Sequence, residues 1–281
     1  MKIAITGSTG FIGKNVLKLL RDKSVEIIVL SRKFEKQFIH KNISYIKHDF
    51  KKKHKLTFSD IGSPDILIHL AWSNLDNYNA QEHITEELPN HFNFLNNLIQ
   101  TGLRNIMVTG TCFEYGIKHG EINENEHTDP VTIYGYAKDI LHKNLLALKI
   151  AKNFNLTWTR LFYVFGKYQR SASIYSTFLN AIQNNDTKFP MSKGEQIRDY
   201  LHVETMAQYL INIAISKKKH DIINVCSGVP KSIRCLVEEW REKNNSSIEL
   251  ELGKYPYPDY EPFAFWGNSD RLKDISTRFK D

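Results

Sequence analysis

The stretch "KIAITGSTGFIGKNVLKLLRD" (residues 2–22) carries three glycines, at positions 7, 10 and 13, between a β-branched run and an amphipathic one. A strand that passes through a glycine turn into a helix leaves backbone N–H groups free at the positive end of the helix dipole, where a pyrophosphate can bind. The spacing is G-x-x-G-x-x-G instead of the commonest G-x-G-x-x-G, and a purely structural turn is the alternative. We predict a dinucleotide site that includes Gly7, Thr9, Gly10, Phe11, Ile12 and Gly13.

The first 165 residues alternate short β-branched runs with longer amphipathic ones. The predicted strands are 2–6, 26–30, 43–47, 66–70, 105–110 and 157–162, and the predicted helices are 11–22, 86–102 and 136–154. Strands that alternate with helices form a parallel sheet covered on both faces. The pattern therefore predicts an α/β fold with a Rossmann-type doubly wound parallel sheet, in a dinucleotide-binding domain at 1–165.

After residue 165 the alternation loosens. Helices are predicted at 203–216 and near 233–243, and a short strand at 222–225. We interpret 166–281 as a smaller mixed α/β substrate-binding region, with part of about 200–228 returning to the first domain.

Composition excludes several classes of protein. No apolar stretch approaches the roughly 18 residues of a membrane span, so we expect a cytoplasmic protein without a membrane partner. The cysteines at 112, 226 and 235 form no close pair, which argues against a disulfide framework and against a metal site. The formal charge is +7, but the basic runs at 51–55 and 217–220 are short and lack interleaved aromatics, so we expect solvated segments and no nucleic-acid partner.

The end of the second strand indicates the choice of cofactor. An acidic residue there binds the adenosine ribose of NAD, whereas arginine accommodates the extra phosphate of NADP. This chain has Ser31, Arg32 and Lys33, with no carboxylate among them. The sequence therefore favours NADP, with NAD as the alternative, unless Arg32 and Lys33 only begin a solvated loop.

Four motifs occur in a family order: the glycine motif, Thr111 four residues before "YG" (115–116), the Tyr134-x-x-x-Lys138 pair, and "GEQIRDYLHVE" (194–204). With them the chain resembles an extended short-chain dehydrogenase/reductase, the group of nucleotide-sugar epimerases, dehydratases and reductases. The resemblance implies a Rossmann fold, a nicotinamide dinucleotide, a nucleotide-sugar substrate and a homodimer.

The resemblance also implies catalytic roles. Tyr134 would transfer the proton, Lys138 would tune it and hold the nicotinamide ribose, and the Thr111 hydroxyl would bind the reacting sugar oxygen. Both Tyr134 and Lys138 belong to a helix start, so a spacing of four places them on one face. A neighbouring ammonium and a nicotinamide cation are expected to lower the pKa of the tyrosine. A second pair, Tyr163 and Lys167, spans a glycine after a strand, and we assign it no catalytic role.

Other positions match the family pattern, with a packed or solvent-facing side chain as the alternative at each. Asp49 and Phe50 would frame the adenine, and Leu70 and Ala71 would lie beneath the cofactor pyrophosphate and ribose. Arg198 would clamp the substrate pyrophosphate. We expect Trp72, Phe113 and Tyr163 to line the sugar pocket, Tyr163 standing where the family commonly has an asparagine, and Tyr255, Tyr257 and Tyr260 to cover it.

Departures from the family pattern narrow the reaction. Cys112 and Phe113 stand where dehydratases carry an Asp and a Glu, which argues against dehydration. An NADP site suits a reductase, which consumes its cofactor, whereas an epimerase keeps one NAD. We therefore predict NADPH-dependent reduction of the C4 keto group of a nucleotide-linked 6-deoxy sugar, in polysaccharide sugar biosynthesis. The alternatives are an NAD-dependent 4-epimerase and, because Thr111, Tyr134 and Lys138 are all present, less plausibly a non-catalytic NADP-binding protein.

Overall fold

A computed structural model describes residues 1–33, 39–52, 55–216 and 218–276. Within these ranges the strands are β1 (Lys2–Thr6), β2 (Glu26–Ser31), β3 (Ile43–Lys47), β4 (Ile66–His69), β5 (Asn105–Thr111), β6 (Gly120–Ile122), β7 (Asn155–Leu161), β8 (Tyr163–Phe165), β9 (Lys188–Pro190), β10 (Ile197–Arg198), β11 (Tyr200–His202), β12 (Ile222–Val225), β13 (Lys231–Ser232), β14 (Glu249–Glu251) and β15 (Phe265–Gly267). The α-helices there are α1 (Phe11–Arg21), α2 (Leu88–Thr101), α3 (Ile133–Ala151), α4 (Ile174–Gln183), α5 (Val203–Ile215), α6 (Ile233–Lys243) and α7 (Asp270–Ser276). The basic runs reach Lys53, His54 and Lys217, which lie outside the described residues.

The central sheet is parallel throughout. Across the described residues its strand order is β3-β2-β1-β4-β5-β7-β12. The buried apolar runs of β1, β2 and β4 pack on both faces, with α1 and α5 on one side and α2 and α3 on the other. A sheet buried on both faces requires near-continuous apolar strands, which is the pattern that the sequence shows. The predicted Rossmann-type fold is confirmed.

The carboxyl ends of the parallel strands meet at one edge of the sheet. The turns after β1, β4 and β5 lie there, and they carry the glycine motif, Ala71 and Thr111. The topology therefore brings together residues that are about a hundred positions apart in the chain.

The later part of the chain contributes to two places. Strand β12 pairs with β7 in the central sheet, and α5 packs beside α1. A separate small core, centred on Phe178 and Trp240, joins α4 and α6. The division into 1–165 and 166–281 stays a prediction. Among the described residues, no helix combines the length and apolarity that a membrane crossing needs.

Candidate active site

The turn after β1 is built around glycines. Gly7 has a φ of +74°, and a Cβ there would lie 2.6 Å from the Ala71 backbone nitrogen. A Cβ on Gly13 would lie 2.0 Å from the Gly7 carbonyl oxygen. Gly10 caps α1 without a side chain. The first N–H groups of α1 therefore border an open space where an anionic group can approach them.

That space is a cavity of about 400 Å³. It is bordered by most of the residues predicted to bind the cofactor: Gly7, Thr9, Gly10, Phe11, Ile12, Gly13, Ser31, Arg32, Asp49, Phe50, Leu70 and Ala71. The remaining two, Tyr134 and Lys138, pack against Trp72, which also borders the cavity. The elongated glycine-bordered cavity and the positive end of α1 fit a dinucleotide.

Ser31 and Arg32 lie at the end of the cavity formed by β2. The Ser31 hydroxyl donates to the Lys33 carbonyl at 2.8 Å and accepts from the Lys33 N–H at 3.3 Å, so it is committed to its own turn. Arg32 is exposed at the rim. The Asp49 carboxylate accepts from the Lys51 N–H at 3.2 Å. Of these three side chains, Arg32 is the cationic one.

The first turn of α3 is fixed from two sides. The Thr132 hydroxyl caps the helix by accepting from the Gly135 N–H at 3.1 Å. The Tyr134 N–H donates to the Tyr78 carbonyl at 2.8 Å, and the rings of Tyr78 and Tyr134 stack with centroids 5.5 Å apart. The Thr111 side chain lies near enough to the Tyr134 hydroxyl to lower the pKa of that phenol. The structure thus brings together the two predicted catalytic hydroxyls.

Burial raises the pKa of Tyr134, Tyr78 and Glu114 raise it further, and the Thr111 side chain lowers it. In the protein without cofactor, the pKa of Tyr134 therefore lies above its ordinary value, and the expected lowering is not seen. Removal of the phenol from water is the largest cause. Tyr134 is held as a protonated phenol.

Lys138 lies one turn further along α3 and is 1 % exposed. Its ammonium donates to the Thr109 carbonyl at 2.8 Å and lies 4.0 Å from the centroid of the Trp72 ring. Burial lowers the pKa of Lys138 to about 7, and Glu114 and Glu87 raise it. A cation in such a site depends on these partners, since bulk water does not reach it.

Glu114 organises the turn that follows Thr111. Its carboxylate accepts from the Thr111 N–H at 2.8 Å and pairs with the Arg160 guanidinium at 2.7 Å, fully buried. Burial also raises the pKa of the Cys112 thiol, which stays protonated. The positions where dehydratases carry acid and base are therefore occupied by an inert thiol and Phe113, and Glu114 is committed to Arg160.

Arg198, predicted to clamp the substrate pyrophosphate, is 1 % exposed and already occupied. Its Nε and Nη2 donate to one Glu261 carboxylate oxygen at 3.2 and 2.8 Å. Its Nη1 donates to the carbonyls of Ile197 and Phe263 at 2.8 and 3.2 Å. A pyrophosphate could reach the guanidinium only by displacing Glu261.

Aromatic rings surround the approach to Tyr134. Phe113 and Tyr163, both predicted for the sugar pocket, have centroids 6.2 Å apart. Tyr78 lies 4.8 Å from Phe113, and Tyr260 lies 6.5 Å from Tyr78. Of the predicted cover, Tyr260 thus reaches this cluster, whereas Tyr255 is exposed and the Tyr257 hydroxyl donates to Glu195 at 2.9 Å.

The structure also places Trp72 and the second Tyr-x-x-x-Lys pair. Trp72, predicted for the sugar pocket, lies on the cofactor side, because its ring packs on Lys138 and stacks on His91 at 4.9 Å. Lys167 is exposed, beyond a glycine with a φ of +139°, and half-buried Tyr163 lies in β8. The second Tyr-x-x-x-Lys is therefore not a spatial pair.

Sequence reasoning missed a polar stripe after β4. A π-helical segment, His83–Glu87, runs into α2, and it places His83, Glu87 and His91 on one buried face. The signal was the H-x-x-x-E-x-x-x-H spacing at 83–91, where an amphipathic helix would turn apolar residues inward. Tyr78 and Glu261 were also missed, and they contact the site from distant loops.

The buried ammonium predicts a pH dependence of stability. Because the pKa of Lys138 is about 7 in the folded protein and 10.5 is its ordinary value, unfolding takes up a proton between these pH values. The contribution of Lys138 to the unfolding free energy is fully present above pH 10.5 and is lost as the pH falls towards 7. In cofactor-free protein, the unfolding free energy relative to Lys138→Met should rise with pH by on the order of 1 kcal/mol per unit. Denaturant titrations between about pH 7.5 and 9.5 measure it; a pH-independent difference would contradict the lowered pKa of Lys138.

Comparisons with known proteins agree with this geometry. The NAD dependent epimerase/dehydratase family matches residues 3–226. The chain is 30 % identical over 272 residues to a dTDP-6-deoxy-L-talose 4-dehydrogenase (NAD(+)) of Aggregatibacter actinomycetemcomitans, covering 95 % of this chain and 99 % of the relative. It is 25 % identical to a GDP-6-deoxy-D-talose 4-dehydrogenase of the same species, covering 89 % and 83 %. A UDP-N-acetylglucosamine 4-epimerase from Methanobrevibacter ruminantium M1 shares the fold, with a TM-score of 0.82 at 22 % identity over 98 % of this chain and 91 % of that one. The chain belongs to the NAD dependent epimerase/dehydratase family and is an NAD(P)-dependent oxidoreductase or epimerase.

Proposed function

We propose that this protein reduces the C4 keto group of a nucleotide-linked 6-deoxy sugar, with NADPH as the preferred reductant. The observation that carries the proposal is the buried Tyr134 phenol, which packs against Trp72 beside the Lys138 ammonium and lies near enough to Thr111 for that side chain to lower its pKa. Two relatives are named as 4-dehydrogenases of 6-deoxytalose nucleotides, and a 4-dehydrogenase working in reverse is a 4-ketoreductase. Because one relative is named for dTDP and the other for GDP, the nucleotide stays open.

The proposed chemistry divides between cofactor and protein. The dinucleotide, when bound, supplies hydride transfer at C4 of the sugar. The Tyr134 hydroxyl donates its proton to the C4 oxygen, while the Thr111 hydroxyl hydrogen-bonds the same oxygen. The Tyr134 phenol is protonated at neutral pH, which is the state that ketone reduction needs in a proton donor. The Lys138 ammonium stabilises the phenolate that the transfer leaves behind.

The epimerase alternative requires that a 4-keto sugar present both of its faces to the cofactor. Rings of Tyr78, Phe113 and Tyr163 crowd the space in front of Tyr134. This crowding leaves little room for a sugar to turn over, and it supports transfer to one face. Epimerases of similar structure share the fold at 22 % identity or less, which carries no reaction to this chain.

Assembly is a separate proposal. Helix α3 exposes Tyr136, Leu146 and Ile150, at 52, 39 and 91 % of their surface. An apolar stripe of this kind on a surface helix supports a homodimer formed through α3. Sedimentation equilibrium at micromolar concentration tests it, since a mass of one chain would contradict the proposal.

Removing the Tyr134 hydroxyl tests the proton donor. Tyr134→Phe should lower turnover by roughly a hundredfold or more, because no other hydroxyl is proposed to donate the proton. Its dinucleotide affinity should stay within about threefold, since the ring and its stacking remain. Tyr115→Phe is the matched control: it removes another buried phenol, which donates to Asn224 at 2.7 Å. Wild-type turnover in Tyr134→Phe would overturn the mechanism.

Arg32 tests the cofactor preference. Arg32→Ala should weaken NADPH by about tenfold and leave NADH nearly unchanged, because a charge-assisted hydrogen bond to the extra phosphate is lost. Lys33→Ala removes the adjacent charge and serves as the control. Equilibrium fluorescence titration with both cofactors gives the ratio. Equal losses for NADPH and NADH would remove Arg32 from phosphate recognition and point to NAD, which the first relative's name specifies.

Glu261 tests the role of Arg198. Glu261→Gln keeps a hydrogen-bond acceptor for the guanidinium and removes the competing charge, so the KM for the nucleotide sugar should fall severalfold while kcat changes little. Asp259→Asn removes the same charge from an exposed position of the same segment and is the control. A higher KM in Glu261→Gln would show that Glu261 itself binds the substrate and that Arg198 is not the clamp.

A further inference from the structure

The buried stripe on the π-helical segment and α2 is part of a longer hydrogen-bonded chain. The Thr6 hydroxyl lies 2.9 Å from His69 Nδ1, and His69 Nε2 lies 2.9 Å from His91 Nδ1. His91 Nε2 lies 3.1 Å from a Glu87 carboxylate oxygen. These four residues, which we call the histidine relay, are at most 4 % exposed.

One arrangement of protons satisfies the whole relay. A carboxylate only accepts, so His91 donates to Glu87 through Nε2 and accepts at Nδ1 from His69, which in turn accepts from the Thr6 hydroxyl. Burial lowers the pKa of both histidines, which fits two neutral rings. Although burial raises the pKa of Glu87, hydrogen bonds from His91 and Ser73 bring it below its usual value. The relay is thus directional and carries its charge at the Glu87 end.

Both ends of the relay hold the same turn. The Ala71 N–H donates to the Thr6 hydroxyl at 3.4 Å, and the Ser73 N–H donates to Glu87 at 2.9 Å. Turn 71–73 borders the cofactor cavity, and Glu87 and His91 border it as well. Its middle residue, Trp72, stacks on His91 with an interplanar angle of 17°.

Turn 71–73 connects the histidine relay to Lys138 through the Trp72 ring. The Trp72 ring also contacts the Lys138 ammonium, which lies 4.0 Å from the ring centroid. The Trp72 indole N–H donates to His83 Nδ1 at 3.1 Å, which fixes the in-plane orientation of the ring. A shift of turn 71–73 would therefore move the surface on which the ammonium rests.

Packing alone does not require these polar groups. Buried hydrogen-bonded polar sets can commonly be replaced by apolar side chains of similar volume without loss of stability. Both ends of the histidine relay are hydrogen-bonded to turn 71–73, so the relay restrains the position of that turn. We propose that the histidine relay is a positioning device for the nicotinamide-ribose half of the cofactor, which fixes turn 71–73 and thereby holds Trp72 against Lys138. This inference rests on the dinucleotide site of the proposed function.

The test compares whole cofactors with their adenosine halves. His91→Phe keeps a ring against Trp72 and removes both relay hydrogen bonds. NADPH and NADH should bind about tenfold more weakly, whereas 2′,5′-ADP and ADP should change by less than about twofold. Equilibrium titration of cofactor-free protein measures all four. Parallel losses for the halves and the whole cofactors, or no loss for either, would overturn the proposal.

Matched variants separate positioning from folding. His142→Phe is the control, because His142 is also buried and stacks on a tryptophan, Trp158, at 4.6 Å. It should leave all four affinities unchanged. Glu87→Gln keeps an acceptor for His91 and Ser73 and should bind NADPH nearly as the wild type does, whereas Glu87→Leu should resemble His91→Phe. Equal weakening by Glu87→Gln and Glu87→Leu would assign the effect to charge and overturn positioning.

A second variant at position 91 tests the proposal if His91→Phe does not fold. If thermal melting shows His91→Phe to be unfolded, His91→Leu is the second variant, which removes both the donor to Glu87 and the acceptor for His69. It should show the same selective loss of whole-cofactor affinity, and an unselective loss would overturn the proposal. These readouts are independent of turnover. A wild-type protein that binds NADPH and leaves 4-keto nucleotide sugars unreduced would overturn the proposed function and not this inference.

Discussion

The buried ammonium of Lys138 is the constraint around which the candidate site is arranged. A cation inside a protein is tolerated only with close partners, and here they are the Thr109 carbonyl and the Trp72 ring. Thr109 belongs to β5 and Trp72 to the turn after β4, so neighbouring strands must end at the same edge of the sheet. The parallel sheet brings these strand ends to one edge, and the histidine relay is hydrogen-bonded to the turn that follows β4.

Most other charges near the site are committed to structure. Glu114 is paired with Arg160, and Arg198 with Glu261. In the proposed mechanism, proton transfer uses a pair of hydroxyls, Tyr134 and Thr111. Such a site suits the donation of one proton to one sugar oxygen, and among the described residues it presents no uncommitted carboxylate for an elimination at the neighbouring carbons.

Sequence predicted the features that local pattern controls. Strand 222–225 and helix 233–243 match their predicted bounds, and the glycine turn lies at the cavity, because apolar periodicity and turn chemistry act over a few residues. It failed where partners are far apart in the chain. The carboxylate that occupies Arg198 lies 63 residues away, and the position of Trp72 depends on His91 of another element. The raised pKa of Tyr134 was missed because burial cannot be seen in a Tyr-x-x-x-Lys spacing.

The most direct test of the proposed 4-keto reduction traces the hydrogen that the cofactor transfers to the sugar. The protein is incubated with NADPH deuterated at the transferring position and with a dTDP- or GDP-linked 4-keto-6-deoxyhexose, and the product is examined by NMR. The account predicts deuterium at C4 of a single 4-hydroxy product, with an equal amount of NADP⁺ formed. A mixture of the two C4 epimers, or a 4-keto sugar left unreduced with no NADP⁺ formed, would contradict it.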